Sequence, residues 1–325
     1  MRRKPAGPLP LGMVDSEDEG TSIAPHPSLL PPGEGAGKVR RRNTLNDLTG
    51  TEWIKFTRSW FVCDSPRYHR NRDTELHPAR FPEEMVAQFL HFFTKRGGWV
   101  LDPFAGSGAT LVACQEQGRR GVGIELSARY AQACQLRLAR IGAVGQQVVQ
   151  GDATGCGQAG FWREHRGGLE AAGLPFRRGL PHFDFVITSP PYWAMLRSSR
   201  GGVYSKHKQR AEQGLDTHYS DDPADLGNVA DYPAFVRSVG DALLGASRLL
   251  APGKYLVVVV QNLRAPGGEV LPLAWDLTRH LSRRLRFQGE RIWCQNTKPL
   301  GIWGYPTVFV PNYHHHYCLV FRRGG

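Results

Sequence analysis

The six cysteines, Cys63, Cys114, Cys134, Cys156, Cys294 and Cys318, form no C-x-x-C pair and no cluster. Nothing in that pattern points to a disulfide framework or a cysteine zinc site, and a reducing compartment is expected. No apolar run reaches the length of a membrane span, so no membrane association is expected. The N-terminus has no apolar core of the kind a secretion signal needs, which makes a soluble, cytoplasmic protein the expectation. Acids are also in short supply: 29 Asp and Glu stand against 41 Lys and Arg, a formal net charge of +12. That excess suits a polyanionic partner such as nucleic acid.

Residues 1–43 are dense in Pro and Gly, with an acidic patch at Ser16-Glu17-Asp18-Glu19 and a basic one at Lys38 to Arg42. Such a composition cannot bury enough apolar area to offset its ordering entropy, and it reads as a disordered tail. Seven basic and five acidic residues fall in it, so +10 of the net charge belongs to a single folded domain over 44–325. Between Asn43 and Pro66 the aromatics Trp53, Phe56, Trp60 and Phe61 alternate with Lys55 and Arg58. Two readings stand side by side: a nucleic-acid surface, or an anchor of this segment onto the core. Pro82 followed by Glu83 and Glu84 is a helix-start signal, and Gly97-Gly98 is the expected stop.

The body is read from two stretches. Phe183 to Thr188 is a short buried strand closed by Ser189-Pro190-Pro191-Tyr192-Trp193. The prolines fix φ and donate no hydrogen bonds, so a rigid corner places Ser189 at a strand's carboxyl end, where open α/β sheets bind ligands. Upstream, Trp99 to Asp102 reads as a strand, Pro103 to Gly108 as a glycine loop and Ala109 to Gln117 as a helix. A dinucleotide fingerprint would want a third glycine where Leu111 stands. The next strand ends in Glu125, 19 residues after Gly106, a position from which an acid can hold ribose hydroxyls. A third strand ends near Asp152. Alternating strands and helices imply an α/β fold, a doubly wound and mostly parallel sheet with all four polar tips on one edge. Arg291 to Trp293 and Tyr313 to Phe321 suggest a closing antiparallel pair.

Asp102-Pro-Phe-Ala-Gly-Ser-Gly108, Glu125, Asp152 and Thr188-Ser-Pro-Pro-Tyr-Trp193 together resemble the motifs of S-adenosylmethionine-dependent DNA amino-methyltransferases, the cytosine-N4 and adenine-N6 family. The segment from His77 to Pro82 is similar to the motif that precedes the cofactor loop in that family. The resemblance runs over roughly residues 44–322, with the cofactor motif ahead of the catalytic one. It implies a Rossmann-like methyltransferase domain that binds S-adenosyl-L-methionine through His77, Phe81, Asp102, Phe104, Gly106, Gly108, Glu125 and Asp152. It also implies catalysis by Ser189, Pro190, Pro191 and Tyr192 on double-stranded DNA with the target base flipped out.

The implied activity is that of a site-specific DNA methyltransferase acting on the N4 amine of cytosine, because relatives acting on adenine N6 more often carry Asp or Asn at position 189. Such an enzyme acts beside a cognate restriction endonuclease or alone. Adenine-N6 methylation is the nearest alternative, RNA or protein-amide methylation a further one, and a DNA-binding protein without activity belongs to another class. Carbon-5 methylation of cytosine would need a nucleophilic cysteine, typically after proline, and no cysteine here follows one. The long recognition insert of many relatives is missing. Residues 157–181 and 194–231 read as loops and are the candidate DNA contacts; Arg197 to Arg210 holds five basic residues and no acid. His314-His315-His316 invites a metal reading, but strand alternation turns the middle ring away from the outer two, and no metal is expected.

Overall fold

The computed structural model describes residues 43–64, 82–191, 193, 222–265, 269–298, 300–302 and 305–324. The compact unit is Asn43–Gly325. Eight strands build one sheet: β1 (Trp60–Val62), β2 (Trp99–Asp102), β3 (Arg120–Glu125), β4 (Gln146–Gln150), β5 (Phe183–Thr188), β6 (Leu250–Val260), β7 (Arg286–Cys294) and β8 (His315–Arg322). Their order in space is β1-β7-β8-β6-β5-β2-β3-β4. All neighbours are parallel except those of β8, which runs against both β7 and β6. The antiparallel pair is present, yet β8 lies inside the sheet and the edge belongs to β1. Cys318, Leu319, Val320 and Phe321 explain this, since four successive buried residues need cover on both faces.

The chain runs β2, β3, β4 to one side and then returns to place β5 on the other side of β2. That reversal is the topological switch point, where the loops diverge and leave a crevice beyond the strand ends. Side chains along β6 alternate between two cores: Leu256, Val258 and Val260 pack on one face, Val257 and Val259 on the other. The second face is covered by α2 (Glu83–Phe93) and α3 (Ala109–Glu116), with α4 (Ala128–Arg140) packed on α3. The first is covered by α6 (Tyr232–Ser247) and α7 (Leu273–Leu281). Between α4 and α6 comes α5 (Arg166–Ala171).

Three details depart from expectation. Helix α2 ends at Thr94, before the glycines, where the backbone turns extended and the Thr94 hydroxyl donates to the Leu90 carbonyl at 2.6 Å. Residues 157–181 are not a plain loop: they hold α5 and a small hairpin of Phe176–Arg177 with Leu180–Pro181. Trp162 fixes that segment, fully buried and donating from Nε1 to the Cys156 carbonyl at 2.7 Å. The aromatic segment after Asn43 is an anchor. Phe56 of α1 (Gly50–Phe56) stacks on Phe92 at 4.0 Å, and the Arg291 guanidinium lies 4.0 Å from Phe56 and 4.4 Å from Phe61. Cation–π attraction of a desolvated arginine holds the edge strand to the sheet. Burial pulls the pKa of Arg291 down to about 10.

Phe89, with no exposed surface, touches Phe56, Phe61 and Phe93 at this junction. Phe89→Ala is expected to lower stability by about 3–5 kcal/mol in chemical denaturation, because a rigid cluster of rings cannot collapse into the cavity.

Candidate active site

Asp102 ends β2 and is 1% exposed. Its Oδ1 accepts from the Thr188 hydroxyl at 2.6 Å and the Phe104 N–H at 3.1 Å, and its Oδ2 accepts from the Thr110 hydroxyl at 2.5 Å. Burial raises its pKa to about 6, against the opposing effect of those donors. The carboxylate thus lies beneath the glycine loop and ties the end of β2 to the end of β5 and the first turn of α3.

Above it opens a cleft between the glycine loop and the ends of β3, β4 and β5. Of the residues singled out in the sequence, Phe104, Gly106, Glu125, Asp152, Ser189 and Pro191 line it together. Asp102, Gly108 and Pro190 do not, and His77, Phe81 and Tyr192 lie outside the described residues. Gly108 is at φ 82°, and a Cβ there would sit 2.2 Å from the Cys134 Sγ. It is glycine so that α4 can pack on the loop. Gly106, at φ 52°, turns its N–H back to Glu125 Oε2 at 2.8 Å.

Glu125 Oε1 also accepts from the Ser127 N–H at 2.8 Å. Desolvation outweighs these donors and raises the Glu125 pKa to about 7. Asp152 is exposed and caps a single turn (Ala153–Gly155), accepting from the N–H and hydroxyl of Thr154 at 2.9 and 2.6 Å. Ser189 is half-buried at the tip of β5, and its hydroxyl has no hydrogen-bond partner among the described residues. The Ser107 hydroxyl lines the same cleft, 8% exposed and also without a partner. A buried polar atom left unpaired costs free energy until something pairs it, so the cleft suits a polar ligand.

One wall was not legible in the sequence. Residues 222–231, read there as part of a DNA-contacting loop, fold against the cleft through Ala224, Asp225 and Leu226. Asp225 is 7% exposed, and its Oδ1 accepts from the Gly227 N–H at 2.9 Å. Trp193 packs beside this wall: its Nε1 donates to the Val229 carbonyl at 2.6 Å and its ring meets Tyr232 edge-on at 5.4 Å. The only local signal was an Asp-x-Gly turn, too common to assign. His316 stacks on Trp293 at 4.6 Å while His315 faces Tyr317 at 5.1 Å, so the histidine run is split between faces. Among the described residues no metal-ligand cluster is formed.

Residues 34–136 match the N6/N4 methyltransferase family model, described as DNA methylase. The Escherichia coli (strain K12) protein YubD is 42% identical over 86 residues, 26% of this chain and 37% of that protein. The type II methyltransferase M.SmaI of Serratia marcescens is 45% identical over 74 residues, 22% of this chain and 25% of that one. The chain thus spans well under half the length of these relatives. Among solved structures, TrmN from Thermus thermophilus covers 74% of this chain and 48% of its own at 14% identity, with a TM-score of 0.42.

Stability should report the Glu125 environment. Its carboxyl is neutral in folded and unfolded chains below pH about 4.5, and its burial penalty grows as pH rises to about 7. Glu125→Gln keeps an acceptor but never ionises. The variant should therefore gain on the native protein between those pH values and run parallel to it above, in denaturation midpoints measured across pH.

Proposed function

We propose, on the match of residues 34–136 to the N6/N4 DNA methylase family model, that the chain transfers a methyl group from S-adenosyl-L-methionine to an exocyclic amine in double-stranded DNA. One observation carries the reading: Ser189 and Pro191 share a cleft with Gly106, Glu125 and Asp152. A ligand held by the glycine loop and the acids therefore reaches the Ser-Pro-Pro corner without leaving the cleft.

The lining residues fit the cofactor. Glu125 suits ribose hydroxyls, Asp152 the adenine amine, and the Phe104 to Ser107 backbone, with the unpaired Ser107 hydroxyl, the methionine end. Asp225 adds a carboxylate to the wall for a ligand that is itself cationic. When bound, S-adenosylmethionine supplies an electrophilic sulfonium methyl. What remains for the protein is to improve the nucleophile.

An aromatic amine is a weak nucleophile because its lone pair is delocalised into the ring. Ser189 Oγ accepts from one amine hydrogen and the Pro190 carbonyl from the other, which draws the nitrogen toward tetrahedral geometry. Pro190 and Pro191 hold both acceptors in place because neither can rotate about φ. Tyr192 stacks on the base, which must leave the duplex to reach so recessed a hydroxyl. The +10 of the body draws in the DNA backbone. Serine offers an uncharged acceptor where adenine-modifying relatives more often place Asp or Asn, and this favours cytosine N4 over adenine N6. In that role the chain would act in the nucleoid, either beside a cognate restriction endonuclease or as an orphan modification enzyme.

Two measurements test the reading. Calorimetry should show S-adenosylmethionine binding that Glu125→Ala weakens by about 1.5–3 kcal/mol, the worth of a hydrogen bond to a charged group; unchanged affinity removes Glu125 from the site. Ser189→Ala should lower turnover about tenfold to a hundredfold, or roughly 1.4–2.8 kcal/mol in the barrier, with cofactor affinity unchanged. Nucleoside mass spectrometry of DNA treated with the native protein should show N4-methylcytosine. A product dominated by N6-methyladenine overturns the serine argument.

A further inference from the structure

The connection from β7 to β8 is an arm with an ordered stem and an apolar tip. Its stem is closed by three successive links: the Gln295 N–H to the His314 carbonyl at 2.8 Å, Lys298 Nζ to the Tyr313 carbonyl at 2.6 Å, and Gly301 with the Asn312 amide at 2.9 Å in both directions. The Thr297 N–H adds a bond to Asp64 Oδ1 at 3.0 Å, tying the stem to the end of β1. Beside and beyond the last link, Leu300, Ile302, Tyr305 and Phe309 are 80%, 88%, 83% and 88% exposed. Four large apolar side chains together in water mark a contact surface rather than scattered exposure.

The arm's place in the sheet says what it contacts. Its stem leaves the same carboxyl edge that carries Ser189, from β8, two strands from β5 and so offset sideways by roughly 10 Å. The cleft takes the strands on the opposite side of β5, which leaves the arm's side of β5 for a base that enters toward Ser189. A row of rings runs from α7 along β8 to the stem: Trp275 to Tyr317 at 5.4 Å, Tyr317 to His315 at 5.1 Å, and His315 to Tyr313 at 5.8 Å. From Arg291 to the last residue the sequence has no Asp or Glu, so the stem carries no charge that would repel phosphate apart from the bonded Asp64 beneath it.

We propose that the arm is a wedge: Ile302 and Phe309 at its tip enter the duplex beside the target and fill the gap left by the extruded base. Apolar side chains inserted between base steps unstack and kink DNA, and base extrusion leaves such a gap. The inference rests on the reading that the chain methylates a base in DNA.

The test uses the full chain and a double variant, Ile302→Ser with Phe309→Ser. Both side chains are exposed, so folding and S-adenosylmethionine affinity should be unchanged, and calorimetry checks this. Two duplexes are compared, each holding a site that the native protein methylates: one fully paired, the other with an abasic position opposite the target base. The variant should lose about tenfold or more in kcat/KM on the paired duplex and under about threefold on the abasic one, where no pairing has to be broken. Equal losses on the two duplexes, or no loss on either, overturn the wedge. So does a change from dimer to monomer in light scattering with methylation intact, which would make the arm a contact between copies. A native protein that methylates no DNA sinks the functional reading itself, a failure distinct from these.

Discussion

The arrangement of the site depends on one buried carboxylate. Asp102 accepts hydrogen bonds from Thr188, Thr110 and the Phe104 N–H, and so fixes the end of β5, the start of α3 and the glycine loop to the end of β2. These elements meet at the switch point, where the loops diverge. Ionised, the group is costly to bury, and its pKa near 6 records that cost. With three donors aimed at it, the cost is offset and the geometry becomes specific. Removing any one donor would leave the other two holding a poorly solvated charge.

From that brace the cleft follows in two halves. On the side of β3 and β4 the walls are carboxylates and loop backbone, suited to a cationic, hydroxyl-bearing ligand. On the side of β6 and β8 the edge carries aromatic rings, and the sequence from Arg291 onward holds basic residues and no acid. Ser189 stands at the boundary. A hydroxyl there can face a small polar cofactor on one side and a macromolecule on the other, a division that the strand order makes and that no single motif contains.

Asp225 and Trp193 show a second role for the same boundary. The segment after the Ser-Pro-Pro corner leaves the described residues at Trp193 and returns at Asp222. Both ends are pinned beside the cleft, Trp193 on Val229 and Tyr232, and Asp225 in the wall.

How much was legible in the sequence depended on the range of each interaction. The apolar runs of β2, β3 and β5, the acids that end the first two and the prolines after Ser189 are local facts, and period and breaker residues were enough to place them. Their convergence followed from strand–helix alternation. The functions of Asp102 and Gly108 were not legible: both were read as ligand-facing, whereas one braces β5 across 86 residues of sequence and the other makes room for Cys134. The wall at Asp225 and the exposed tip at Ile302 and Phe309 were equally hidden. Backbone propensity and patterning are written along the chain, so the sequence by itself determined the parallel α/β core and the cleft's polar tips. Which side chains line the cleft, brace it or stand in water depends on packing partners distant in sequence, and only the tertiary structure decided that.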